Sequence, residues 1–283
     1  MQGKTVVITG GSSGIGLETA RALAGQGARI VMVVRSRERG EAAIANIRAG
    51  GNGVGAVLDA QIELVLADLY ALAEVRKAGA ELRERFGKID VLVNNAGLIH
   101  ATRELTVDGF ERTFALNHLA AFLLTYELRD AVTWRIVTVS SMGHRFAKFD
   151  WDDLPVMTKW PSETMVYGAS KLCNIWFARE CARRMRERGV TSNSLHPGAV
   201  ASNFGASGSW IYRVGTKVVK PFLLTSAQGA RTSVHLASSP EVEGVTGEYF
   251  ERCRVATPSK RARDDDEARR LWALSEQLCG VTW

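Results

Sequence analysis

The sequence predicts an α/β fold, a doubly wound parallel sheet of about seven strands with helices on both faces, and two features carry that expectation. Short β-branched runs alternate with longer stretches of helical period, and the first run leads straight into a glycine-rich turn and a helix. Parallel strands need crossovers of a dozen or more residues, which is the spacing found here.

Strands are expected at Thr5 to Thr9, Arg29 to Val34, Ile62 to Ala67, Ile89 to Val93, Arg135 to Val139 and Thr191 to Leu195, with Thr246 to Phe250 supplying a seventh. No repeat, low-complexity tract or Pro/Ser-rich linker divides the chain, so residues 1–283 are expected to form one domain. Gly50 to Ala60 reads as a surface connection. Phe146 to Met165, with Pro155 and Pro161, reads as a long irregular insertion, a kind of loop that tends to be functional. Near the end, the carboxylates of Asp264 to Glu267 precede Ala268 to Leu278 and read as a helix start, where negative charge meets the positive end of the dipole.

Of 283 residues, 46% are hydrophobic and 23% charged, enough apolar material for one large core. The balance of 36 Lys+Arg against 30 Asp+Glu gives +6, but the basic residues are scattered along the chain. The densest run, Arg179, Arg183, Arg184, Arg186 and Arg188, is interleaved with Glu180 and Glu187 at helical spacing and reads as a solvated face. A nucleic-acid partner is therefore not expected. The cysteines Cys173, Cys181, Cys253 and Cys279 form no C-x-x-C pair, which points away from a metal site or disulfide scaffold and toward a reducing, cytoplasmic setting. Met1 to Lys4 lead directly into a strand, without a signal-like run, and no stretch of about 18 apolar residues suggests a membrane span. Peripheral membrane contact stays open.

After the first strand comes Thr9-Gly10-Gly11-Ser12-Ser13-Gly14-Ile15-Gly16. Glycines there permit a sharp turn and let backbone N–H groups approach a pyrophosphate at a helix N-terminus, as in a Rossmann-type dinucleotide site. The end of the second strand reads Val34-Arg35-Ser36-Arg37, with no carboxylate for the ribose hydroxyls of NAD. Arg35 suits a ribose 2′-phosphate instead, so NADP (NADPH) is expected and NAD is the possible alternative. Asp68, followed by Leu69, has two open roles: acceptor for the adenine amino group or cap of the next helix. Asn94-Asn95-Ala96-Gly97 either lets a ligand approach the sheet edge or simply makes a tight turn.

Tyr167-Gly168-Ala169-Ser170-Lys171 places a phenol and an ammonium one helical turn apart on one face. A nearby cation stabilises the phenolate and makes tyrosine a better acid/base near neutrality. Ser140-Ser141 ends a different strand, on the side where open α/β sheets bind ligands. Asn117, within Phe114-Ala115-Leu116-Asn117-His118, is a polar residue in an apolar helix and either faces solvent or serves a polar site.

In this order, the T-G-x-x-x-G-I-G start, N-N-A-G, the helical Asn117, the strand-end Ser141, Y-x-x-x-K and His196-Pro197-Gly198-Ala199-Val200 resemble the short-chain dehydrogenases/reductases over nearly the whole chain. The resemblance implies that Tyr167 is the general acid/base, that Lys171 holds the nicotinamide ribose and lowers the tyrosine pKa, that Ser141 orients the substrate oxygen, and that Asn117 anchors a relay water. Leu116-Asn117-His118-Leu119, Arg135 to Ser141, Ala268-Arg269-Arg270-Leu271-Trp272 and the wide gap from Ser141 to Tyr167 are most similar to retinol-dehydrogenase-type and WW-domain-oxidoreductase-type members. The Pro-Gly motif departs from the family in ending Ala201-Ser202, so Ser202 is expected to take the place of a threonine against the carboxamide. Many retinol dehydrogenases carry an N-terminal anchor that Met1 to Lys4 do not resemble.

From Trp210 to Phe222, Ile211, Val214, Val218 and Phe222 recur at helical spacing opposite Arg213, Lys217 and Lys220. That pattern fits either core packing or a lid, about residues 203–222, over a lipophilic alcohol or carbonyl substrate. Trp151 and Trp160 could line the same pocket or be buried for stability. Family members commonly form dimers or tetramers through helices equivalent to Asp108–Leu128 and Tyr167–Arg188, so a homo-oligomer is expected. Two other readings compete: a nucleotide-sugar epimerase, which shares Y-x-x-x-K but has a larger C-terminal domain, and a non-catalytic NADP-binding sensor or scaffold.

Overall fold

The computed structural model describes residues 1–50, 55–159, 162–200 and 223–283. In chain order the elements are β1 (Thr5–Thr9), α1 (Gly14–Gly25), β2 (Arg29–Val34), α2 (Arg37–Ala49), β3 (Ile62–Leu66), α3 (Leu72–Phe86) and β4 (Ile89–Asn94). Then come α4 (Arg112–Phe114), a π-helical turn (Ala115–Leu119) and α5 (Ala120–Leu128), followed by β5 (Val132–Val139), α6 (Glu163–Arg184) and β6 (Thr191–His196). α7 (Ser226–Ser238), β7 (Tyr249–Glu251), β8 (Arg254–Val255) and α8 (Asp265–Cys279) complete the chain.

The strands form one sheet in the order β3-β2-β1-β4-β5-β6-β7-β8, parallel except for the β7–β8 hairpin. β8 is the one strand beyond the expected seven. Alternate residues of each strand feed opposite cores: Val7, Val31 and Val33 face α3, α5, α6 and α8, whereas Val6, Ile8, Ile30 and Met32 face α1, α2 and α7. Both faces being covered explains why the central strands are apolar throughout rather than alternating.

Several boundaries differ from the sequence expectation. β5 begins at Val132 because Val132 pairs with Ile89 across a register shift. β7 starts at Tyr249, since Thr246 and Gly247 bond to Ser192 in a turn, with Gly247 at φ +80°. The insertion ends before Met165: Ser162 caps α6 by accepting from Met165 N, so the helix already runs from Glu163. The helix expected from Asp108 starts at Arg112, where Glu111 accepts from Thr113 N and Phe114 N. Asp264 caps α8 through Asp266 N and Glu267 N, in line with the helix-start reading.

Only part of the arginine run is a solvated face: Arg186 and Arg188, beyond the end of α6, are exposed, whereas the arginines within α6 contact α8. Arg179 and Arg183 pair with Asp265 at 2.7 and 2.5 Å, and Arg184 lies over the Trp272 ring. These contacts dock α8 against α6, where Trp272 stacks on Phe177 and packs edge-on to Phe122. Of the helices expected to meet a second subunit, α5 buries Ala120 to Thr125 and Leu128 within the chain. Trp151 stacks on Trp176 of α6 at 17° and does not line the cavity described below; Trp160, Pro161 and the proposed lid lie outside the described residues. No helix among the described residues is long and apolar enough to cross a membrane.

Candidate active site

Where β1 and β4 diverge in strand order, their carboxyl ends open a crevice, the usual ligand position in a doubly wound sheet. The two ends are tied together by side chains. Thr9 Oγ1 accepts from Asn95 N at 3.0 Å and Ala96 N at 2.9 Å, and Asn95 Nδ2 donates to Thr9 O at 2.8 Å. Above them lies a cavity of about 1420 Å³ that runs along the strand ends to β6 and the β7–β8 turn.

One end of the cavity is built for phosphate. Gly10, Ser12, Ser13, Gly14, Ile15 and Gly16 line it, and α1 starts there with no side-chain cap and no acidic residue in its first turn. Its first N–H groups are thus available to an anion, and the dipole favours one. A Cβ on Gly16 would lie 2.5 Å from Asn95 Nδ2 and from Gly10 O, so only glycine lets the helix start this close to the strand ends. Arg35 lines the same end, with Ser36 and Arg39, and has no carboxylate partner among the described residues. Arg37 instead points to Glu41 at 3.7 Å. Asp68 and Leu69 line the cavity too, but Asp68 does not cap α3: its Oδ1 accepts from Tyr70 N, and the helix begins beyond Ala71.

The other part gathers residues expected to act on a substrate. Tyr167, Lys171 and Ser141 all line the cavity, as do Asn95, Ala96, Gly97, Pro197, Gly198 and Val200. A Cβ on Gly143 would lie 3.4 Å from two Tyr167 ring carbons and 3.5 Å from Ser141 Oγ, so phenol ring and hydroxyl flank one glycine. Ser141 Oγ accepts from Gly143 N at 3.1 Å, leaving its own proton for the cavity. Ser140 is excluded from that task because its hydroxyl donates to Lys171 O at 2.6 Å. Lys171 Nζ stands 5.6 Å from the Tyr167 ring centre and donates to Val139 O at 3.0 Å. Burial pushes its ammonium down to about 7.

Asn117 takes the polar-site alternative rather than facing solvent. It is buried behind the wall and does not line the cavity; Oδ1 accepts from Leu98 N, while Nδ2 donates to Leu98 O and Ser170 Oγ. Ser170 Oγ in turn donates to Tyr167 O at 2.8 Å. Asn117 Oδ1 and Lys171 Nζ are each 3.0 Å from a Cβ built on Gly97, which places the amide beside the lysine. Ser202 lies outside the described residues.

The sequence reading missed several lining residues. Arg39 follows Arg35 at a helical spacing that could have flagged it. His196 lines the cavity, accepts from Met142 N through Nδ1, and is held below its ordinary pKa by burial. Gln228, Arg231 and Thr232 of α7, and Glu251 to Cys253 of the β7–β8 turn, had no local signal at all. Thr232 Oγ1 accepts from Cys253 N, joining these two elements, and the turn holds Arg252 and Cys253 at positive φ.

Residues 4–209 match the family model described as short chain dehydrogenase. The chain is 40% identical over 293 residues to retinol dehydrogenase 14 of Mus musculus, across 99% of this chain and 87% of that protein. It is 36% identical over 285 residues to the WW domain-containing oxidoreductase of Drosophila melanogaster, across 98% of this chain and 69% of that protein. Among solved structures, a short chain dehydrogenase from Burkholderia cenocepacia in complex with NADP shares 26% identity at a TM-score of 0.69, covering 88% of this chain and 96% of that one. With the glycine turn, the tyrosine, lysine and serine gathered at one cavity and these relationships along its length, the chain belongs to the short-chain dehydrogenases, an oxidoreductase family.

Proposed function

We propose that the protein transfers a hydride between NADP(H) and a hydrophobic alcohol, aldehyde or ketone, with Tyr167 as general acid/base. The observation that carries this reading is the convergence of the Tyr167 ring and Ser141 Oγ on Gly143, beside the buried Lys171 and within the same cavity as the α1 N-terminus. The bound nicotinamide supplies the hydride. Ser141 donates its hydroxyl proton to the carbonyl oxygen and holds it toward the phenol, which protonates that oxygen in the reductive direction. Lys171, when charged, favours the phenolate and so eases the loss of the phenol proton.

NADP over NAD is supported by Arg35, a guanidinium without a carboxylate partner among the described residues, and by the NADP held in the Burkholderia relative. A hydrophobic substrate is supported by Leu98, Leu116, Met142, Leu223 and Leu224 in the cavity wall and by the printed names of the retinol dehydrogenase relatives. The test is loss of NADPH absorbance with a panel of apolar aldehydes and ketones, run on the wild type and on Tyr167→Phe. The variant should bind NADPH with unchanged affinity and turn over at least about a hundredfold more slowly. Undiminished turnover by Tyr167→Phe would remove the phenol from the mechanism, and a wild type inert toward every carbonyl would favour the non-catalytic reading.

A further inference from the structure

The Leu116 to Leu119 segment, which marks the retinol-dehydrogenase-like branch in the sequence, meets the second half of α8 through residues the proposed chemistry does not use. His118 lies in the π-helical turn, fully buried, and its Nε2 is 2.8 Å from Ser275 Oγ of α8, 157 residues away along the chain. Ser275 already donates its single proton to Leu271 O at 2.8 Å, so the imidazole must be the donor and carries its proton on Nε2. Around the ring stand Phe114, Phe122 and Phe177, with centroids 5.3 to 6.4 Å away, and the polar side chain of Asn174. A phenylalanine would fill the aromatic side at lower desolvation cost but would leave Ser275 and Asn174 without the imidazole, so packing alone does not account for the histidine.

π-helical turns are rare and need support from outside the helix, because their wider hydrogen-bond ring packs poorly on its own. This one presents Asn117 inward, where its amide grips both main-chain groups of Leu98 and the hydroxyl of Ser170, which bonds to Tyr167 O. On the outer side the His118–Ser275 bond ties the same turn to α8, itself anchored by Asp265 to Arg179 and Arg183.

We propose that His118 and Ser275 are positioning residues: their bond lets the C-terminal helix hold the π-turn in the register at which Asn117 aligns the Leu98 corner with the first turns of α6. The inference rests on the proposed hydride transfer for its catalytic consequence, but its structural consequence can be read without turnover.

The experiment compares wild type, Ser275→Ala, His118→Phe, the double variant, and Leu278→Ala as a control for loosening the same helix. Two readouts are taken on the full chain: steady-state kinetics with NADPH and a carbonyl, and amide exchange at Leu98. Each single variant should lower kcat about tenfold with KM for NADPH within about twofold, and should speed Leu98 exchange about tenfold. The double variant should be no worse than either single, as expected when both remove one bond. Leu278→Ala should lower thermal stability while leaving kcat and Leu98 exchange near wild type. Wild-type exchange at Leu98 in Ser275→Ala, additive effects in the double variant, or equal effects from Leu278→Ala would each overturn the proposal. An inert wild type would count against the oxidoreductase reading alone, because the exchange arm still decides the positioning role.

Discussion

Lys171 Nζ donates to Val139 O at 3.0 Å, and Val139 is the last residue of β5, two positions before Ser141. Strand and helix are thereby joined at the point where the lysine and Ser141 both line the cavity. Asn174 Nδ2 donates to the same oxygen at 3.1 Å, so the carbonyl keeps a partner if the lysine is removed.

Lys171→Met should therefore be both inactive and more stable. Burial lowers the ammonium from 10.5 to about 7, so between those values the unfolded chain binds more protons than the folded one. Charging the buried lysine costs most below about pH 7, and that cost fades as pH rises toward 10.5. Urea midpoints should favour the variant clearly at about pH 6 and hardly at all above about pH 10, while kcat falls by roughly two orders of magnitude. A variant less stable than wild type at the lower pH would contradict the desolvation argument.

Arg35→Ser should weaken NADPH binding about 10- to 100-fold, the worth of a hydrogen bond to a charged group, and leave NADH binding nearly unchanged. Fluorescence titration with both cofactors checks this. Equal loss for the two would mean that Arg35 contacts a part of the dinucleotide they share.

Acid should destabilise the fold through its histidines. Burial holds His100, His118, His144 and His196 below the ordinary 6.5, His118 at about 3. Their folded pKa values are depressed, so their contribution is complete above pH 6.5 and is lost as pH falls through the folded values, to about 3 for His118. Each contributes a slope of up to about 1.4 kcal/mol per pH unit in its window. Denaturant midpoints measured from neutral pH downward should fall steadily below about pH 6.5; a flat profile to about pH 5 would show that these imidazoles charge without unfolding.

Trp272→Ala should cost about 3–5 kcal/mol, the usual loss for a buried aromatic. Its ring is 1% exposed, stacked on Phe177 at 5.9 Å and 8°, and 5.0 Å from Phe122. Equilibrium urea unfolding measures it. A loss under about 1 kcal/mol would mean that α8 adds little to the domain.

Much of the site could be read locally because its parts are short motifs at strand ends. β1, the Gly10 to Gly16 turn and α1 were legible together, since hydrophobic period and glycine spacing act over a few residues. The Tyr167–Lys171 spacing likewise needs only one helical turn. Ser141 was singled out over Ser140 only by the family resemblance, because residue pattern alone does not say which hydroxyl Lys171 O captures from another element. Asn117 carried a signal as a polar residue in an apolar helix, but its partners Leu98 and Ser170 come from two other segments.

What the sequence determined by itself is the layered α/β order, the glycine turn after β1 and the one-turn spacing of Tyr167 and Lys171, all set by periodicity and spacing along the chain. Only the tertiary structure decided that Arg179, Arg183 and Arg184 dock α8, that α7 and the β7–β8 turn wall the cavity, and that His118 meets Ser275. Those contacts join residues tens to more than a hundred positions apart, and packing between distant segments leaves no local pattern in the residues that make it.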